Sequence, residues 1–108
     1  FSPGWQADAA EIAKHHDFKY GINVEFVRPR DTENIETRFY ERGVGETQSS
    51  GTGSCAAAVA SIFAGRAQSP LRVHAPGGPQ TVRWEHEVFL RGPAQLVCRG
   101  EYFQNPCP

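Results

Sequence analysis

Between Tyr40 and Ala58 the chain reads YERGVGETQSSGTGSCAAA, and Gly51, Thr52 and Gly53 stand directly before an alanine-rich run. The first N–H groups of a helix lack intrahelical acceptors, and glycines let a ligand approach that backbone. The N–H groups from Gly51 to Ser54 are therefore expected to converge on a carboxylate or phosphate. The competing reading is a glycine-rich connection whose N–H groups are hydrated. Glu41 and Arg42 precede this step at the end of a strand-like run. A carboxylate and a guanidinium placed there can read the ammonium and carboxylate of a small zwitterion, although a solvated ion pair is the plainer account. Asn23 interrupts an earlier strand-like run. An amide there either marks a sheet edge or offers donors and acceptors to a ligand, the edge being the plainer reading.

These residues need elements to hold them. Ile22 to Arg28 alternates, with Ile22, Val24 and Phe26 on one face and Asn23, Glu25 and Val27 on the other, and Pro29 closes the strand. Ile35 to Tyr40 alternates again, and Arg30 to Glu33 joins the two as a hairpin. Ser54 to Arg66 is apolar nearly all the way round, which predicts a helix over Thr52 to Ala64 buried on every side, with a curved sheet wrapped about it. Gly65 and Arg66 suit its C-terminal end. Leu71 to Ala75 and Thr81 to Glu85 flank the turn residues Pro76-Gly77-Gly78-Pro79. Val88 to Arg91 and Ala94 to Phe103, separated by Gly92-Pro93, supply further strands, and the chain is expected to fray after Tyr102. Asp8 to His16 reads as a short amphipathic helix. The fold class expected is α+β, with a mixed, mostly antiparallel sheet.

Composition narrows the function classes. The chain has 108 residues, room for one domain. Eleven Lys and Arg against twelve Asp and Glu give a net charge of -1, so nucleic acid and acidic membrane surfaces are not expected partners. No apolar run approaches the ~18 residues of a membrane span. The cysteines Cys55, Cys98 and Cys107 are odd in number and lack metal-ligand spacing, which fits a reducing compartment. A Cys98–Cys107 pair is the lesser alternative. No metal is expected: His15 and His16 on one helix point about 100° apart and do not easily share an ion. His74 and His86 stand singly and read as packed or hydrated.

The Tyr40–Ala58 stretch resembles the C-terminal-half signature of the diaminopimelate epimerase family. There, Tyr-Glu-Arg-Gly-x-Gly-Glu-Thr leads into Ala-Cys-Gly-Thr-Gly-Ala-Cys-Ala. His16-Asp17-Phe18, Asn23-Val24, Pro76-Gly77-Gly78 and Gly92-Pro93-Ala94 agree in order. The resemblance implies that residues 1–108 form the C-terminal half of a protein whose N-terminal half is absent. Two pseudo-symmetric halves, each a sheet around a central helix, would enclose the active site. It implies a cytoplasmic isomerase of lysine and cell-wall precursor synthesis that interconverts L,L- and meso-diaminopimelate. It further implies that no cofactor such as PLP is involved, because in that family a cysteine from each half exchanges the α-proton. By the same resemblance Glu41 meets the substrate ammonium, Gly51 and Thr52 the α-carboxylate, and Asn23 and Arg42 the distal zwitterion. The partners implied are a small amino-acid substrate and the missing half, with a homodimer as a further assembly.

One position departs from the pattern. Ser50 stands where the family carries its catalytic cysteine, while Cys55 matches the second cysteine of the motif, which is not the base. A hydroxyl is a far weaker acid than a thiol of pKa ~8.5, so Ser50 has almost no conjugate base at neutral pH. The residue is compatible with an engineered change, a natural loss of activity, or one-base chemistry such as elimination of water. The readings carried forward are an epimerase half, a related enzyme of different reaction type (a dehydratase or another isomerase), and a catalytically silent binding or structural domain.

Overall fold

The computed structural model describes residues 1–105. Helix α1 spans Trp5–Ala13 and starts after Gly4, whose left-handed backbone (φ 82°) turns the chain in without a side-chain cap. The expected helix over Asp8 to His16 is thus displaced toward the N-terminus. Trp5 decides this: it is buried edge-on against Phe26, with ring centroids 5.7 Å apart. Ala9 and Ala13 bury at the following helical repeats.

Strands β1 (Val24–Pro29) and β2 (Asn34–Glu41) form the expected hairpin, in register from Val24 opposite Tyr40 to Pro29 opposite Ile35. Its turn is set by Asp31, whose carboxylate accepts from the Glu33 N–H at 2.7 Å and from the Asn34 amide at 3.0 Å. The far edge of β2 is shared. Its first residues pair in parallel with β4 (Leu71–Ala75), and its last pair antiparallel with β3 (Gly45–Thr47). β4 turns through Pro76 and Gly77 into β5 (Gly78–Trp84), and β6 (Val88–Arg91) lies beyond it. The order is β1-β2-β4-β5-β6 with β3 on β2, a mixed and mostly antiparallel sheet, so the α+β class is as the sequence implies.

Helix α2 (Gly51–Phe63) crosses one face of this sheet and meets β1, β2, β4, β5 and β6. The core lies between them: Ile35, Leu71, Val73 and Val82 from the strands, Ala57 and Ala58 from the helix. Burial on every side of α2 is not what is found. Gly53, Ser54, Ala57, Ala58 and Ser61 are buried, whereas Phe63 is 84% exposed. The sheet is a single layer and α1 packs on its other face, so among the described residues no second layer covers the back of α2.

The strand expected over Ala94 to Phe103 is also absent: residues 92–105 are exposed and pair with no strand among the described residues. A tight hairpin back onto β6 would put Pro93 at the second central turn position, which proline disfavours. Cys98 is a free thiol, and Cys107 lies outside the described residues, as does the end of the segment expected to fray. No helix among the described residues is long and apolar enough to cross a membrane.

Candidate active site

Ser50 makes the start of α2. Its backbone is extended (φ -151°, ψ 119°), its Oγ accepts from the Gly53 N–H at 3.0 Å, and its carbonyl accepts from the Ser54 N–H at 2.9 Å. This is an N-cap, an interaction whose removal typically costs about 1 kcal/mol. The expected cluster of N–H groups from Gly51 to Ser54 is therefore narrower than the sequence suggests. Gly53 and Ser54 are satisfied internally, while Gly51 and Thr52 make no N–H hydrogen bond among the described residues. Those remaining donors open at the positive end of the helix, as an anion site requires.

The approach to Ser50 is fixed from the β4–β5 turn. The Gly77 N–H donates to the Gln48 carbonyl at 2.7 Å, and a Cβ at Gly77 would stand only 2.8 Å from that oxygen. On the far side of the first turn, Ser54 Oγ donates to Gln80 Oε1 at 2.7 Å, tying α2 to β5. Composition marks Gly77 only as a turn residue; its closeness to Gln48 is set by the packing.

The sheet brings acidic side chains to this point. Val27 and Ile35 pack with α2, so by strand alternation Glu25, Phe39 and Glu41 face the helix as well. Glu41 Oε1 accepts from Thr47 Oγ1 at 3.2 Å. Glu25 Oε1 and Ser50 Oγ each lie 2.9 Å from the place a Gly53 Cβ would take, and Phe39 Cδ1 lies 2.8 Å from it. Only glycine fits there. Burial, and then the nearby charge of Glu41, push the Glu25 carboxyl above its ordinary value of 4.5. Glu25 was not singled out from the sequence, because alternation gives its face but not its neighbours.

The other expected residues divide between two faces. The Asn23 amide oxygen accepts from the Arg42 backbone N–H at 2.8 Å, which locks the chain at the end of β2 next to Glu41. The Arg42 guanidinium turns toward α1 and donates to the Tyr20 carbonyl at 2.9 Å. It lines a cavity of about 540 Å³ with Ala13, Lys14, Tyr40 and Val44. Gly51 and Thr52 instead border an apolar groove of about 580 Å³, completed by Cys55, Ala56, Val59, Val88 and Leu90. Burial pushes the Cys55 thiol above its ordinary value, so it is not poised as a thiolate.

The histidines are resolved by local geometry. α1 ends at Ala13, so the helical argument against a shared ion at His15 and His16 does not apply. Their rings lie 4.2 Å apart, and with Asp17 they offer exposed ligand atoms all within 4.8 Å of one another. No buried group orients this cluster. His74 shares a 2.9 Å hydrogen bond with Asn34 Oδ1, and burial lowers its pKa, the first of the two roles, packed or hydrated, expected of it.

Known proteins resemble this chain over most of its length. The profile of the family described as Diaminopimelate epimerase matches residues 4–97, a span that includes Asn23, Glu41, Arg42, Ser50, Gly51 and Thr52. The curated diaminopimelate epimerase of Bacillus subtilis is 44% identical over 96 residues, and that of Bacillus licheniformis 42% over 96 residues. Each alignment covers 85% of this chain and 34% of the relative. The chain therefore spans about a third of the length of the curated relatives it matches. A family match over most of the chain, with relatives at such identity, means that the chain belongs to the diaminopimelate epimerase family.

Proposed function

We propose that this chain is the C-terminal, substrate-gripping half of a cytoplasmic amino-acid isomerase acting on diaminopimelate or a close analogue. The observation that carries this reading is the pair of N–H groups, Gly51 and Thr52, that have no partner among the described residues at the start of α2, the helix that the Glu41 face of the sheet packs against. In it the α-carboxylate rests on those amides and the ammonium on Glu41, which leaves the α-carbon facing Ser50. Asn23 and the Arg42 backbone brace the loop, and the Arg42 side chain serves the distal zwitterion. The chemistry is acid–base throughout and calls on no cofactor. The N-terminal half closes over the apolar groove lined by Cys55, Ala56, Val59, Val88 and Leu90.

The test is uptake of deuterium at the α-carbon of L,L- and meso-diaminopimelate in heavy water. The isolated chain gives no inversion, because the opposing base belongs to the other half. Restoring that half with Ser50 in place leaves inversion very slow, and Ser50→Cys raises it by orders of magnitude. Equal rates with serine and cysteine would overturn the placement of position 50 at the reacting carbon. A second reading has one specific support: Ser50 is used as a helix cap, which suits a relative of altered, one-base reaction type. Diaminopimelate binding without inversion in either form favours that reading.

A further inference from the structure

We propose that the sheet face turned away from α2 carries a binding site for a diphosphate group, gripped by Arg72, Arg83 and Arg91 around Thr81. Strand register lays this site out. Leu71, Val73 and Val82 face the core beneath α2, so alternation turns Arg72, Thr81 and Arg83 to the opposite side. Arg72 stands opposite Thr81 across β4 and β5, and Thr81 stands opposite Arg91 across β5 and β6. The two arginines thus flank one short hydroxyl side chain in a single row, with their Cα atoms roughly 10 Å apart. Arg83 follows two residues along the middle strand, its guanidinium 4.7 Å from the centre of the Phe89 ring.

No acidic side chain among the described residues neutralises this row. Arg28 of β1 is paired with Glu36, and Arg38 of β2 donates to the Thr37 carbonyl. Arg72, Arg83 and Arg91 make no ion pair and no hydrogen bond among the described residues. α1 packs over β1, β2 and β3 and leaves β4 to β6 uncovered on this side. Like charges gathered on neighbouring strands repel, so an anion seated between them relieves that repulsion as it binds. Space for it is present. Two adjoining hollows, of about 430 and 400 Å³, share Thr81 and Arg91, with Arg72 lining the first and Arg83 the second.

The residue types select the ligand. Guanidinium forks bind phosphate oxygens bidentately and keep their charge at any working pH, and the Thr81 hydroxyl adds a donor at the centre. Donors on three adjacent strands, spread over two joined hollows, suit two linked phosphoryl groups better than one. An extended acidic peptide fits less well, because the basic row is short. Glu36 stands beside His74 toward β2, and Glu85 and Glu87 close the β5–β6 hairpin. The site lies on the opposite face of the sheet from Gly51 and Thr52, yet β5 links the two: Gln80, next to Thr81, holds Ser54 in the first turn of α2.

The test is calorimetric titration of the whole chain with inorganic diphosphate and with ADP at physiological ionic strength. Both bind with a dissociation constant below about 1 mM, through the diphosphate that they share. Equal affinities identify the free diphosphate group as sufficient, and tighter binding of ADP identifies a nucleoside diphosphate. Arg72→Gln and Arg91→Gln each weaken binding about tenfold or more, and Thr81→Val about threefold. Arg66→Gln, beyond the end of α2, leaves it unchanged. Melting curves without ligand stay cooperative in every variant, since none of these side chains belongs to the core. No binding of either probe at millimolar concentration overturns the proposal. An equal loss in Arg66→Gln also overturns it, because the effect then belongs to net charge alone. Binding of a hexaglutamate peptide but of neither diphosphate overturns it too, and makes this face a docking surface for acidic protein segments.

Discussion

At the residue scale, the acidic side chains on the two faces of the sheet behave in opposite ways. Glu36 is held by Arg28 and Arg30 on the α1 face, and its carboxyl is pulled from 4.5 down to about 2, chiefly by the Arg30 and Arg28 hydrogen bonds. Its folded pKa is depressed, so its contribution is fully present above the unfolded value and is lost as pH falls through about 2. Melting temperatures measured from pH 5 to 2 are expected to drop more steeply for the parent than for Glu36→Gln; parallel curves would remove this ion pair from the account of acid stability. Glu25 has the reverse sign: its raised pKa means that ionisation weakens the fold as pH rises above the unfolded value. These roles were only partly legible in the sequence. Glu41, Gly51 and Thr52 stand out in the sequence because glycines between a strand-like run and an alanine run are a local signal. Glu25 and Gly77 depend on approaches between segments far apart in the chain, and no local pattern records those.

At the element scale, the hairpins were legible because alternation and turn residues are local, and the register of β1 with β2 follows from both. β3 is only Gly45–Thr47, too short to show alternation. The environment of α2 was not legible for a different reason. Small residues permit close packing on all sides, but whether a second layer exists is decided by the topology. Ala58 is fully buried under the sheet, and Phe63 lies at the open end. Ala58→Asp should therefore unfold the domain, since an unpaired buried charge costs several kcal/mol against a total of roughly 5–15. Phe63→Ser should change stability by no more than about 0.5 kcal/mol. Urea titrations of the two variants check this, and a large loss in Phe63→Ser would mean that the back of the helix is covered.

At the scale of the whole molecule, the chain is longer than its sheet requires. Its radius of gyration is 16.9 Å, against about 13 Å for a compact domain of this length, and its longest extent is 56 Å. Residues 92–105 join no strand of the sheet among the described residues, with Leu96, Val97, Tyr102 and Phe103 largely exposed. The strand expected over Ala94 to Phe103 is not formed: partial alternation is a local pattern, but a strand also needs an edge to join, which the pattern does not supply. Ending the chain after Gly92 should leave the cooperative thermal transition within about 0.5 kcal/mol of the parent, because little packing is removed. A marked loss of stability would show that the segment is held against the sheet. The joint between the two halves of the sheet has a kinetic meaning. Each hairpin closes between near neighbours and can form within microseconds, whereas the parallel contact of Asn34–Glu36 with Arg72–His74 brings together segments separated by the whole of α2. The search for that contact is shortened only when the helix has already been laid across both strands. Substitutions within α2 will therefore be felt in the rate at which the chain refolds as well as in the stability it finally reaches.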